Sequence, residues 1–173
     1  MSAREQFSDT AVVPGEVLPC VDPPWLGGKA RVRRSMPDNR MVLAPDIAEI
    51  PKLIAWVETC CHDSAVARET ALKLVLALEE ATVNVIQHGF DSMPEPHHLE
   101  VQLDIAADRV IAAVIDNGRP FDPSTAPEPD LTLPLEQRDL GGLGILFIHR
   151  MVDRIEYRHA DGHNRLRLEK ARG

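Results

Sequence analysis

Hydrophobic positions in the first half of the chain repeat at helical spacing in two segments. Residues 47–61 carry apolar side chains three or four positions apart, and Asp46 before them is a typical N-cap residue. A longer helix is predicted to begin after Ser64 and to run to about His88, where Gly89 is the usual terminating residue. Because its apolar residues cover more than one face, this helix is expected to pack against both a sheet and the first helix.

Later in the chain the pattern changes to the period of two that is typical of strands. Residues 99–105 alternate between apolar and polar, and residues 110–115 form a nearly continuous apolar run. We therefore expect a half-buried strand and a central strand that form a hairpin. Asp161-Gly162 is a hairpin turn signal between two further strands, at residues 154–159 and 164–169.

The remaining segments complete the predicted architecture. Two short strands are expected at residues 29–36 and 40–44, and a third helix at residues 143–151. The proline-rich residues 121–140 are too long and irregular for an ordinary connection, and loops of this kind are often lids. The predicted fold is a two-layer α/β sandwich, with helices on one face of a mixed, mainly antiparallel sheet.

Composition and charge restrict the class of protein. A chain of 173 residues with 44% hydrophobic content can bury one substantial core. We place this core in a single domain at residues 31–173, after a loosely packed arm rich in Pro and Gly at residues 1–30. The net charge of −8 argues against nucleic-acid binding, which needs clustered Lys and Arg. A bound polyphosphate would therefore be held by backbone N–H groups and a metal ion.

Neither the N-terminus nor the cysteine content indicates a secreted or membrane protein. The first ten residues lack an apolar signal segment and no later stretch approaches the length of a membrane span, so a cytoplasmic location without membrane contact is expected. Cys20, Cys60 and Cys61 have no spacing that predicts disulfides or metal ligation. His97 and His98 lie in a polar loop without a second spaced ligand, so no zinc site is assigned.

A polar stripe interrupts the apolar pattern of the second helix. Glu80, Asn84 and His88 are four residues apart and therefore lie on one side of a helix. A solvated stripe is the ordinary interpretation of such spacing. Here apolar positions surround the stripe, and it is directed at the end of the helix where two glycine-containing turns are expected to meet.

Those two turns carry their own chemistry. Asp116-Asn117-Gly118 ends the predicted central strand, where the Asp carboxylate could accept an exocyclic amine such as that of adenine and the Gly could let the ring approach the backbone. Taken alone, the motif is only a turn. Gly141-Gly142-Leu143-Gly144 precedes the third helix, where successive N–H groups can approach phosphate oxygens. No Gly-Lys-Ser/Thr follows, so this loop is not a P-loop.

In this order the motifs resemble those of the GHKL ATPases, and most closely those of the bacterial anti-sigma-factor serine/threonine protein kinases. Residues 80–90 resemble the N-box, residues 116–122 the first glycine box and residues 141–144 the second, within a likeness that covers residues 35–171. One departure lies near the end. Family members often carry Gly-Thr or Gly-Ser entering the last strand, whereas this sequence has Gly162-His163-Asn164, so a nucleotide contact at this point is not carried over.

The resemblance implies a Bergerat-type ATP-binding fold with ATP and Mg²⁺ as cofactors. Asn84 would offer its side-chain oxygen to Mg²⁺, which prefers hard oxygen ligands. Asp116 would accept the adenine amine, and Gly118 would admit the base. The backbone that would contact the phosphates belongs to Gly141, Gly142, Leu143 and Gly144.

Two further roles follow from the same resemblance. His88 is grouped with the nucleotide contacts, and its alternative role is to support the adjoining turn. Glu80 would be the catalytic group that orients or deprotonates the incoming hydroxyl. Arg119 and Arg138 could reach phosphates from the lid, although exposed arginines are common.

The implied function is that of a serine/threonine protein kinase that acts as an anti-sigma regulatory factor. It would phosphorylate a STAS-domain anti-anti-sigma partner and sequester a sigma factor, and kinases of this type are similar to one another in forming homodimers. Two alternatives stay open. One is a non-catalytic ATP-binding partner-switching protein. The other is a histidine-kinase-type catalytic domain, which is disfavoured because the roughly 30 residues before the first strand cannot form a dimerising helical hairpin.

Overall fold

The computed structural model describes residues 39–125 and 142–173. Its strands are β1 (Arg40–Val42), β2 (Leu99–Ile105), β3 (Arg109–Asp116), β4 (Arg154–Ala160) and β5 (His163–Ala171). They form one five-stranded sheet in the order β1-β2-β3-β5-β4, and its pairings are antiparallel. The predicted α/β sandwich is confirmed, while the described strands contain no parallel pair that would make the sheet mixed.

The continuous apolar run predicted a central strand, and β3 occupies that place. Every residue of β3 after Arg109 is buried, which requires cover on both faces of the sheet. One set of its side chains lies in the core beneath the helices: Val110, Ala112 and Val114. The predicted hairpin with β2 is also present, and its register places Leu99 opposite Asp116.

The last two strands are joined by the predicted two-residue turn. Asp161 and Gly162 both have positive φ, at 54° and 75°, and Ala160 pairs with His163 directly across the turn. Positive φ at both central residues is typical of the type I′ turn, whose twist matches that of the flanking strands. The turn therefore fixes which residue of β5 lies opposite each residue of β4.

Three helices cover one face of the sheet: α1 (Ile50–Asp63), α2 (Arg68–Asn84) and α3 (Gly142–Met151). The middle helix, α2, packs against α1, α3 and β3. A short 3₁₀ turn at Ile47–Glu49 precedes α1, and the Asp46 carboxylate accepts a hydrogen bond from the Ala48 N–H at 2.9 Å, which confirms the predicted cap. The helices and sheet share one core, whose fully buried side chains include Leu53, Val57, Leu74, Leu78, Val101, Val114 and Leu168.

The second helix begins later than its pattern predicts. Ala65 adopts a positive φ of 53°, and the N–H groups of Ala65 and Val66 donate to the carbonyls of His62 and Cys61. These two bonds form a Schellman closure of α1, a motif that usually places Gly at the left-handed position. An alanine there gives no sequence signal, so the three residues 65–67 precede α2 instead of forming its first turn.

The second helix also ends differently. Regular α-helix stops at Asn84, and Val85–Gly89 forms a π-turn in which the Phe90 N–H donates to the Val85 carbonyl at 3.1 Å. A π-turn contains one residue more than an α-helical turn and often occurs at functional sites. The predicted termination at Gly89 is correct, but the predicted α-helical conformation of residues 85–88 is not.

Several predictions lie wholly or partly outside the described residues. They concern the arm at residues 1–30, the strand at residues 29–36 and the loop at residues 121–140, of which only the first part is described. That part contains a 3₁₀ turn at Pro123–Thr125. Among the described helices, none combines the length and apolar content that a membrane crossing requires.

Candidate functional site

A cavity of about 420 Å³ lies between the helical layer and the ends of β3 and β5. Such a volume is within the usual range of small-molecule sites. Its lining combines an apolar floor with a few polar groups and an arginine at the segment after β3: Ala81, Asn84, Val85, His88, Gly89, Val114, Asp116, Arg119, Pro120, Phe121, Pro123, Ile145, Ile148, Tyr157, Asn164 and Leu166. The structure therefore brings Asn84, His88 and Asp116 together, as the sequence predicted.

Asp116 ends the central strand and is 5% exposed. Its Oδ1 accepts hydrogen bonds from the Gly118 N–H and from Asn164 Nδ2, each at 2.8 Å. Burial raises the pKa of Asp116, while these two hydrogen bonds act in the opposite direction because they stabilise the carboxylate. In the part of the chain that the structure describes, both bonds go to Oδ1, which leaves Oδ2 to accept a hydrogen bond from a ligand.

Gly118 is required by the packing of the chain itself. A Cβ added there would lie 2.7 Å from the Gly89 carbonyl oxygen and 2.8 Å from its carbon. The same carbonyl accepts a hydrogen bond from the Arg119 N–H at 2.8 Å. The absence of a side chain at Gly118 thus allows the π-turn after α2 to contact the turn after β3, a reason that sequence reasoning did not identify.

Asn117, between Asp116 and Gly118, connects the turn after β3 to the loop before β2. Its Oδ1 accepts from the His98 N–H at 2.7 Å and its Nδ2 donates to the Pro96 carbonyl at 2.8 Å. Both ends of the amide are therefore used to hold the loop that enters β2. Burial also lowers the pKa of the neighbouring His98, in spite of the opposing effect of Glu100.

Glu80 and Asn84 meet the start of α3. A Cβ added to Gly144 would lie 2.5 Å from Glu80 Oε2 and 3.7 Å from Asn84 Nδ2. Glu80 does not line the cavity itself but stands beside it, one helical turn from Asn84. Sequence reasoning grouped these three residues, and the structure places them side by side.

The structure gives the positions of only some of the remaining predicted residues. His88 is exposed and lines the cavity from the π-turn. Gly142 and Leu143 belong to the first turn of α3, so the predicted glycine motif does open a helix. Gly141 lies outside the described residues, as does Arg138.

Two residues that line the cavity were not predicted as site residues. Asn164 is 4% exposed and donates to Asp116, and Tyr157 donates from its hydroxyl to Asn164 Oδ1 at 2.7 Å. The departure at Gly162-His163-Asn164 was the available signal for Asn164. Tyr157 gave no signal, because its place beside Asn164 depends on the register between β4 and β5.

The implied Mg²⁺ can be tested against the donor atoms of the site. Mg²⁺ is commonly held by one or two protein oxygen ligands together with phosphate oxygens and water. Asn84 lines the cavity and its side-chain amide contains one oxygen that could serve as a ligand, and the Glu80 carboxylate is one turn away. Across residues 39–125 and 142–173, no group of three or more His, Cys, Asp or Glu side chains is arranged to hold a metal. The oxygen donors present fit an ion that is shared with phosphates.

Comparison with known proteins identifies the family to which the chain belongs. The sequence pattern described as the histidine kinase-like ATPase domain matches residues 43–170. The chain is similar to the serine/threonine-protein kinase BtrW of Bordetella bronchiseptica, with 26% identity over 113 residues, which is 65% of this chain and 79% of that kinase. It is also similar to the serine-protein kinase RsbW of Bacillus mycoides, with 29% identity over 91 residues, 50% of this chain and 56% of the relative.

One solved structure supports the fold. The RsbU and RsbW domains of a Mycobacterium tuberculosis protein superpose with a TM-score of 0.54 and 16% sequence identity, covering 79% of this chain and 34% of that chain. The chain thus spans just over half the length of the Bacillus mycoides relative and a third of this structural one. The resemblance to GHKL-type kinases is confirmed by the family pattern and by the kinase names of the relatives. Since that pattern covers most of its residues, the chain belongs to the histidine kinase-like ATPase domain family.

Proposed function

We propose that this chain is an ATP-dependent serine/threonine protein kinase that acts as an anti-sigma regulatory factor. Membership of the histidine kinase-like ATPase family implies the use of ATP. One observation carries the proposal further: Glu80 and Asn84 stand against the start of α3 beside a cavity that also contains the buried Asp116 carboxylate. A nucleotide with its base at Asp116 would have its phosphates near Asn84 and α3.

The base end of the cavity supports adenine binding. Asp116 Oδ2 would accept the hydrogen bond that the adenine amine donates, and apolar side chains from Ala81, Val114 and Ile148 can pack against the ring. Inside a low-dielectric site, a hydrogen bond to an ionised acceptor contributes about 1.5 to 3 kcal/mol. Asp116 is therefore the residue on which nucleotide affinity depends most.

The phosphate end is formed by α3 and Asn84. The N-terminus of a helix carries unpaired N–H groups and a partial positive charge, both of which favour phosphate oxygens. Asn84 and the phosphates would hold Mg²⁺, which supplies neutralisation of phosphate charge when it is bound. A net charge of −8 makes such local neutralisation necessary, because the protein as a whole repels anions.

Glu80 would act as the general base for transfer of the γ-phosphate. Its carboxylate would orient a Ser or Thr hydroxyl and accept its proton while the hydroxyl oxygen bonds to the γ-phosphorus and the bond to the β-phosphate oxygen breaks. Gly144 leaves the room that this carboxylate occupies, since a side chain at that position would overlap Glu80 Oε2. Gly144 is thus proposed to act by preserving the position of Glu80.

The partners follow from the kinase type and are part of the proposal. The phosphorylated partner would be a STAS-domain anti-anti-sigma protein, and the unmodified kinase would sequester a sigma factor. We also propose a homodimer paired through the sheet face that lacks helices, and a cytoplasmic location. This face carries ion pairs between neighbouring strands, including Arg109 with Glu169 and Arg167 with Glu156.

The test is phosphate transfer from Mg·ATP to a purified STAS-domain partner, followed by intact mass spectrometry. In Glu80→Gln we expect the transfer rate to fall by roughly 100-fold or more while ATP binding is retained, since general base catalysis typically contributes that much. Glu79→Gln is the matched control, because it removes the neighbouring carboxylate from the same helical turn.

Each other outcome has a distinct meaning. Transfer at the wild-type rate in Glu80→Gln would refute the role of Glu80. A partner that binds in the presence of ATP but gains no mass would identify a non-catalytic ATP-binding protein. Phosphate recovered on a histidine of this chain would instead identify a histidine-kinase-type domain.

A further inference from the structure

The buried side chain of Asn164 has a defined role that the residue motifs did not assign. We propose that Asn164 is a positioning residue that holds Asp116 as a pure hydrogen-bond acceptor and thereby makes the site select adenine over guanine. This inference rests on the proposed ATP site. It concerns the position where the last strand departs from the Gly-Thr or Gly-Ser pair of similar proteins.

The contacts around Asn164 determine the orientation of its amide. Three acceptors surround Nδ2: Asp116 Oδ1 at 2.8 Å, the Gly118 carbonyl at 3.0 Å and the Arg119 carbonyl at 3.4 Å. None of these oxygens can donate a hydrogen bond when Asp116 is ionised, so the amide nitrogen must face them. The reverse orientation would place the amide oxygen against a carboxylate and two carbonyls.

The opposite end of the amide is held just as firmly. Asn164 Oδ1 lies 2.7 Å from the Tyr157 hydroxyl and 2.9 Å from His159 Nδ1. Both groups can donate, which requires the Nδ1-protonated form of His159. The hairpin of β4 and β5 therefore supplies two donors that keep Asn164 Nδ2 directed at Asp116.

This arrangement fixes what Asp116 presents to a base. Asn164 and the Gly118 N–H both engage Oδ1, so Oδ2 is the oxygen available to a ligand. Adenine offers an amine, which an ionised oxygen accepts, whereas guanine offers a carbonyl at the same ring position, which it repels. A site that presents only an acceptor discriminates strongly against a ligand that needs a donor.

Loss of the Asn164 bond would weaken that discrimination. The hydrogen bond from Asn164 lowers the pKa of Asp116 against the larger effect of burial, which raises it. Without this bond the carboxyl is protonated more readily, and a protonated carboxyl can donate to the guanine carbonyl. Among the described residues, the other titratable groups near Asp116 are His98 and His163, with Tyr157, His88 and Arg119 around the cavity.

Calorimetry of ATP and GTP binding to the full chain tests the proposal. We expect wild type to prefer ATP, and Asn164→Ala to lose roughly tenfold or more of this preference. The acid-induced loss of ATP binding should also begin at a higher pH in Asn164→Ala. Asn164→Thr, which restores a donor, should recover part of the preference.

Asn164→Asp gives a sharper result because it keeps the size of the side chain. Two carboxylates at this distance cannot both ionise easily, so the pair is expected to retain a proton near neutral pH. ATP affinity of this variant should therefore change with pH across the neutral range, where wild type shows little change. The two carboxylates are coupled whatever the role of Asn164 in wild type, so this profile tests whether Asp116 must be ionised for ATP to bind, and an affinity that does not change with pH would contradict that requirement.

Controls separate the inference from folding and from the proposed function. Thr70→Val removes another buried polar contact, the hydroxyl bond to the Ala171 carbonyl near the far end of α2, and should leave the preference unchanged. ATP preference and pH profile at wild-type values in folded Asn164→Ala would overturn the inference while ATP binding itself stands. Absence of ATP binding by wild type would overturn both the proposed function and the inference.

Discussion

Replacement of Gly118 by Ala tests whether contact between the π-turn and the turn after β3 assembles the site. Gly118 has no positive φ among the described backbone angles, so alanine meets no conformational penalty there. The penalty is steric instead, because the new Cβ would lie 2.7 Å from the Gly89 carbonyl oxygen and 3.0 Å from Asp116 Oδ1. Both obstacles belong to buried or backbone groups that cannot simply rotate away.

The magnitude follows from what must move. Overpacking of a well-packed region typically costs about 1 to 3 kcal/mol, and displacement of Gly89 also breaks its hydrogen bond with the Arg119 N–H, at about 1 kcal/mol. We therefore expect Gly118→Ala to lower the free energy of unfolding by roughly 2 to 4 kcal/mol. Nucleotide affinity should fall as well, because Asp116 and the cavity wall shift together.

Gly162→Ala is the matched control for this measurement. Gly162 has a positive φ of 75° and no atom within 4 Å of an added Cβ, so its replacement introduces conformational strain without a clash. Strain of this kind costs about 1 to 2 kcal/mol and should leave nucleotide affinity unchanged. Chemical denaturation measures the stability of both variants, and calorimetry measures their affinity for ATP. A smaller loss of stability in Gly118→Ala than in Gly162→Ala, with normal ATP binding, would refute the reasoning.

Three further predictions concern other parts of the site and fold. Gly144→Ala should leave stability within about 1 kcal/mol of wild type, because the atom it meets is the flexible end of Glu80, yet it should slow phosphate transfer by roughly tenfold or more in the mass-spectrometric assay. Asp116→Asn should abolish ATP binding without a loss of stability at neutral pH. Since burial raises the pKa of Asp116, the folded state binds its proton more tightly than the unfolded state does, so the contribution of Asp116 to stability falls as pH rises from the ordinary aspartate pKa to the raised pKa of the folded state. Denaturation at several pH values should show this decline in wild type but not in the variant, and equal profiles would contradict it. Ala65→Gly should raise the free energy of unfolding by about 0.5 to 1 kcal/mol, because glycine adopts the φ of 53° at this exposed position without the steric strain that the alanine Cβ causes, and a destabilised variant would show that the alanine is not strained.

Much of the fold was predictable because the spacing of apolar and polar residues along the sequence matches the periods of the helices and strands. The apolar run of β3 marked the central strand, and Asp161-Gly162 specified a turn that few other dipeptides favour. The closure of α1 by Ala65 was not predictable, since alanine is normally a helix former. The π-turn after Asn84 could not be predicted either, because the sequence VIQHG has no feature that distinguishes it from a final α-helical turn.

The candidate site was predictable in its local motifs but not in its long-range contacts. Asn84, His88 and Asp116 were found because each belongs to a short pattern, and the cavity contains all three. The contact between Gly118 and Gly89 joins residues far apart in sequence, and it becomes visible only when two elements are packed. The same is true of Asn164, which reaches Asp116 across a strand pair.

Because of the π-turn at Val85–Gly89, the contact between Gly89 and Arg119 depends on the number of residues in this segment. Deletion of one residue from the segment could restore a regular α-helix with little loss of helical hydrogen bonding. It would also rotate every later residue by about 100° and shift it by about 1.5 Å along the axis. The Gly89 carbonyl would then no longer face the Arg119 N–H, and the turn that carries Asp116 would lose its support from the helical layer. Homologous chains that conserve the motifs but differ by one residue here should therefore differ in nucleotide binding, although their helices would be equally well formed.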